Sequence, residues 1–133
     1  MSPPPHLALR PPGDVAPARA PDNELYDRGA ELVQAAVAIR RVAASPEAGR
    51  AIPAVLGCIE SALQELVLAS AALERTTAEV ASSTPRGLDR PDNRVVERMH
   101  RGYANLQEAL FDAQAAAAAA RSLASRALRG RSS

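Results

Sequence analysis

The chain has 133 residues, 47% of them hydrophobic, 23% charged and 2% aromatic, which allows one modest domain. Its 16 basic residues, all arginine, face 15 acids for a formal net charge of +1, so no global field requires nucleic acid or an anionic membrane as partner. The single cysteine, Cys58, excludes an internal disulfide framework, and with only His6 and His100 beside it there is no Cys/His cluster at zinc spacing.

Residues 1–21 carry seven prolines, each removing a backbone donor, and few large apolar groups, a composition that predicts a disordered, partly polyproline-like tail. A helical domain is expected over residues 22–129, followed by a short flexible end at 130–133. Its first helix, residues 22–44, opens at Pro21-Asp22-Asn23-Glu24, where side-chain oxygens can cap free amides and acids can complement the dipole. Leu25, Gly29, Leu32, Ala36, Ile39 and Ala43 then step by four and three, the spacing of one helical face. Ser45-Pro46 ends it, because the residue before proline avoids helical backbone.

The second helix is expected over residues 46–82, with a kink or a short separate turn near 50–53 to accommodate Pro53. Its apolar seam is read as Ile52, Val55, Ile59, Ala62, Leu66, Ala69, Leu73, Thr76 and Val80, with Leu56, Leu63, Val67 and Ser70 widening the face. Glu60, Glu65, Glu74 and Arg75 interrupt the longest apolar region, which argues against a membrane-crossing helix and, without a signal-peptide pattern at residue 1, for a cytoplasmic setting. Breakers from Ser82 to Gly87 predict a loop reaching about Arg90.

Pro91-Asp92-Asn93 repeats the earlier helix start and opens a third helix over residues 92–129. Its seam is read as Met99, Tyr103, Leu106, Leu110, Ala113, Ala117, Ala120, Ala124 and Ala127, large at first and then almost all alanine. Three amphipathic helices joined by short connections predict an all-α fold, an antiparallel up-down-up three-helix bundle with coiled-coil spacing. At ~1.5 Å per residue the first helix covers only part of the long hairpin made by the other two.

Two surfaces and two chemistries come out of this reading. Small residues every three or four positions let backbones approach closely, so Leu106, Leu110, Ala113, Ala117, Ala120 and Ala124 form the candidate interface for a second copy or a partner helix. Arg121, Arg126, Arg129 and Arg131 make the end of the chain acid-free and suit phosphate oxygens, an alternative that points to nucleic acid or anionic lipid. Glu97-Arg98-Met99-His100 has carboxylate-histidine spacing, but a bundle metal site needs a second such pair, so no metal or other cofactor is expected. No motif for a nucleophile or a phosphate loop occurs, so no enzyme activity or small-molecule substrate is expected; a novel site would require Glu60, Glu65, Glu97, His100 and Tyr103 to converge. Cys58 is expected to be a small core residue.

Overall fold

A computed structural model describes residues 20–84 and 91–132, with side chains to 129, and within these residues the protein is all-α with three α-helices and no strand. The expected proline-rich tail, the loop between 85 and 90 and the side chains of residues 130–133 lie outside the described residues, while the backbone stays helical to Ser132 where a flexible end is expected from 130. The chain divides into two compact units, Met1–Ser45 and Pro46–Ser133.

The first unit contains helix α1, Pro21–Ala43. Proline at its first position has its backbone angle pre-set for a helix, and the amide it lacks would have been unpaired there anyway. The capping position is therefore Ala20, extended at φ −53° and ψ 138°, with no side-chain acceptor. Asp22 and Glu24 fall inside the first turn instead of capping it, and Arg40 and Arg41 occupy the last turn, so both ends complement the dipole. The ion pair Arg28–Glu31, 2.9 Å, is exposed on both sides and contributes little.

In the second unit a six-residue 3-10 helix, Pro46–Ala51, precedes helix α2, Ile52–Ser83. Of the two expected solutions for Pro53 the structure takes the separate short turn: Ala51 stays helical at φ −85° and ψ −10°, and Pro53 falls in the first turn of α2, where its missing amide costs nothing. At the other end the hydroxyls of Ser82, Ser83 and Thr84 donate to the carbonyls of Ala78, Glu79 and Val80 at 2.8, 2.8 and 3.0 Å. Of these acceptors only Val80, which also accepts from Ser83 at 3.2 Å, is among the last four carbonyls left without a helical amide; the other two hydroxyls bond carbonyls already within the helix ladder.

Helix α3, Asn93–Ser132, is 40 residues long, about 60 Å at the standard rise. Here the repeated Pro-Asp-Asn works as a cap: the Asp92 carboxylate accepts the Val95 N–H at 3.0 Å while its carbonyl accepts the Val96 N–H at 3.1 Å.

Helices α2 and α3 pack antiparallel. Thr77 meets Tyr103, Glu74 meets both His100 and Gln107, and Glu60 meets Arg121, so residues climb one helix as they descend the other. The facing row on α2 is accordingly Leu56, Glu60, Leu63, Val67, Ser70, Glu74, Thr77 and Ala81, all buried or half-buried. On α3 the half-buried or buried row includes Val96, Tyr103, Gln107, Leu110, Gln114, Ala117, Ala124 and Leu128. The α2 row centres on the residues expected to widen the face, Leu56, Leu63, Val67 and Ser70; of the expected seam Val55, Ile59 and Leu66 are half-buried, whereas Ile52, Leu73 and Val80 are 39%, 38% and 61% exposed.

One residue back along a helix turns the side chain by about 100°. Because α2 and α3 run in opposite directions, that step brings both preceding rows to the same side of the hairpin. There Ile52, Leu73 and Val80 of α2 stand beside Val95, Leu106 and Leu123 of α3, the last three 51%, 46% and 61% exposed. Leu68 and Phe111 are exposed on the opposite side. Among the described residues only Ala117 and Ser70 are buried.

The two uses of Pro-Asp-Asn carry a prediction. Asp92→Ala removes a side-chain cap and costs about 1 kcal/mol in urea unfolding, whereas Asp22→Ala removes only a dipole interaction of about 0.3–1 kcal/mol. A larger loss from Asp22→Ala than from Asp92→Ala would contradict the assigned helix starts.

Candidate functional site

The densest polar cluster lies across the hairpin seam. Helix α2 presents Glu74 and Thr77 three residues apart, and α3 presents His100, Tyr103 and Gln107 at spacings of three and four, so each set occupies one face. Glu74 uses both carboxylate oxygens: Oε2 lies 3.0 Å from His100 Nδ1 and Oε1 accepts from Gln107 Nε2 at 3.1 Å. The Thr77 hydroxyl donates to the Leu73 carbonyl at 2.7 Å, which leaves its oxygen to accept from the Tyr103 hydroxyl at 3.0 Å. One turn earlier Ser70, 3% exposed, donates to the Val67 carbonyl at 2.8 Å, so its buried hydroxyl is also satisfied.

Hydrogen bonds from His100 and then Gln107, with the His100 charge adding to them, hold the Glu74 carboxyl below the ordinary carboxylate value; partial burial opposes the shift. Each oxygen of Glu74 thus has one partner on α3. Such an arrangement clamps two helices together.

The candidate interface residues separate into two rows. Leu110, Ala117 and Ala124 face α2 within the same chain, Ala117 being buried and the other two half-buried. Leu106 and Ala120 are exposed on the outer apolar row, with half-buried Ala113 between the two rows.

The arginines do not form one patch either. Arg121 pairs with Glu60 of α2 at 2.9 Å, its aliphatic stem passing over Gly57. Arg126 is exposed, Arg129 lines a cleft with Arg50, and the Arg131 side chain lies outside the described residues.

His100 finds its carboxylate in Glu74 across the seam, and Glu60 sits with Arg121 at the other end of the hairpin, so Glu60, His100 and Tyr103 do not converge. Among the described residues no group of three or more His, Cys, Asp or Glu is placed to hold a metal ion. Cys58 is exposed on α2, contrary to its expected place in the core, because the facing row passes through Leu56 and Glu60 and turns position 58 outward.

One expectation about membranes needs correction. The segment Pro46–Ser83 is long and apolar enough to cross a membrane by length and composition, with mean hydropathy 1.5 over 18 residues and none of that window buried. Its acids are too sparse to exclude a span, although Glu60 and Glu74 are both engaged by α3. No protein-family model, curated protein or solved structure matches the chain.

Residues of the clamp were missed in the sequence because Glu74, Thr77 and Gln107 acquire partners only once the helix register is known. Their signal was the matched polar spacing on the two helices. Since the folded Glu74 carboxyl lies below its ordinary value of 4.5, its stabilising contribution is full above that pH and is lost as pH falls through the lower folded value. Thermal melts of the native chain and Glu74→Gln between about pH 5 and pH 2.5 will therefore converge on acidification; parallel curves would contradict the clamp.

Proposed function

We propose that the protein is a non-enzymatic helical interaction module that completes an up-down-up, coiled-coil-like bundle within the chain and self-associates through the part of the hairpin left over. The observation that carries this reading is the apolar face made by the two outer rows on one side of α2 and α3. A two-helix hairpin with such a face lacks its third layer, and an amphipathic helix is the element that fits it.

Helix α1 offers the complementary stripe: Leu25, Leu32 and Ile39, 56%, 48% and 42% exposed, alternate with Gly29, Ala36 and Ala43. Its 23 residues reach about 34 Å, against about 48 Å for the 32 of α2. If α1 folds back beside the start of α2, the far end of the face around Val80 and Val95 remains for a second copy. A two-fold pairing suits it, since one self-complementary patch serves both partners. The polar cluster supports a structural role because Glu74 and Thr77 are satisfied within the hairpin. A cytoplasmic setting belongs to this proposal, in keeping with a lone cysteine.

Light scattering on a size-exclusion column tests it. The full chain is expected to show a mass that rises with concentration to that of a dimer, and Val80→Glu with Val95→Glu to return a monomer of unchanged helicity. A monomer at every concentration, or a dimer indifferent to both changes, would overturn the self-association.

A further inference from the structure

The antiparallel register brings the start of α2 to the end of α3, where an open cleft of about 400 Å³ is lined by Arg50, Pro53, Ser125, Leu128 and Arg129. Three of these, Ser125, Leu128 and Arg129, are spaced as one face of α3, and Arg50 arrives from the 3-10 helix on the other strand of the hairpin. Two arginines thus line one cleft with a serine, a proline and a leucine, and among the described residues no acid lines it.

That arrangement differs from the rest of the hairpin. Arg121, two turns before Arg129, is neutralised by Glu60, and Arg28 by Glu31, whereas neither Arg50 nor Arg129 has an ion-pair partner among the described residues. Glu47, one turn before Arg50, is not among the residues that line the cleft. Arg129 is accounted for in part by the negative end of the α3 dipole. Arg50 belongs to a different element, the 3-10 helix, so the two arginines reach the cleft from separate parts of the chain.

We propose that this cleft binds a phosphate group. Two positive charges match a phosphate dianion, guanidinium forks match its oxygens in geometry, and the Ser125 hydroxyl supplies a further donor. Pro53 and Leu128 give the organic part of a phosphomonoester or the glycerol end of a phospholipid an apolar surface to rest on. A carboxylate offers only one charge and two oxygens and fits less well.

The test uses the full chain at fixed low ionic strength, with inorganic phosphate titrated against chloride and acetate and followed by amide and arginine side-chain NMR shifts. Saturable shifts at Ser125 and Arg129 are expected with phosphate, at least about tenfold weakened in Arg50→Ala/Arg129→Ala and changed less than about twofold in Arg126→Ala. Circular dichroism of each variant separates lost binding from lost folding, and Ser125→Ala provides a smaller perturbation if the double variant unfolds. Sedimentation with phosphatidylcholine vesicles containing phosphatidic acid then assigns the source: Arg50- and Arg129-dependent capture identifies a lipid headgroup, and binding of free phosphate without capture identifies a soluble ligand. Unsaturable shifts, equal shifts with acetate, or binding unaffected by the double variant would overturn the proposal.

Discussion

The hairpin rests on a polar clamp: Glu74 holds His100 and Gln107 while Tyr103 donates to Thr77. Leucine and alanine rows can slide past one another by a turn at modest cost, because dispersion and burial are indifferent to which methyl group meets which. Hydrogen-bonded groups have no such freedom, since a slip would leave a half-buried carboxylate, an amide and two hydroxyls seeking partners. The Glu60–Arg121 pair repeats the constraint toward the other end of the helices. Two polar anchors on a long thin interface specify one register, the role best attested for polar groups in helix seams.

From that register the rest follows. Polar residues occupy half of the α2 seam, so Ile52, Leu73 and Val80 are left exposed to one side, where the matching row of α3 joins them. The same register brings Arg50 and Arg129 to one cleft where the start of α2 meets the end of α3. An apolar face and a doubly cationic cleft are thus consequences of one alignment, and a change in the clamp would disturb both.

The helices themselves were legible because proline punctuates the chain at 21, 46 and 91 and the spacing between is helical throughout. The seam was legible only to within one residue. Ranking positions by hydrophobicity selects Ile59, Leu66 and Leu73; the first two are half-buried together with their neighbours Glu60 and Val67, but Leu73 is exposed while Glu74 bonds to α3. A helix with apolar residues over more than half its circumference does not declare which part meets its partner, and here cross-helix hydrogen bonds decide. Asp92 and Asp22 make a similar point locally: the same tripeptide caps one helix and enters the first turn of another, according to where proline lands. The Ala-rich half of α3 was read as one surface, but a row facing α2 and an outer row run along it side by side.

The most direct test of this account is the register itself, read by disulfide trapping in a Cys58→Ser background. Leu63 and Ala117 face each other in the hairpin, whereas Ala62, which hydrophobicity places in the seam, is exposed on the outer row. Under mild oxidation Leu63→Cys with Ala117→Cys is predicted to close an intrachain bridge rapidly and in high yield, and Ala62→Cys with Ala117→Cys to close slowly or not at all. Preferential trapping of the Ala62 pair would contradict the clamp, and with it the face and the cleft that depend on its register.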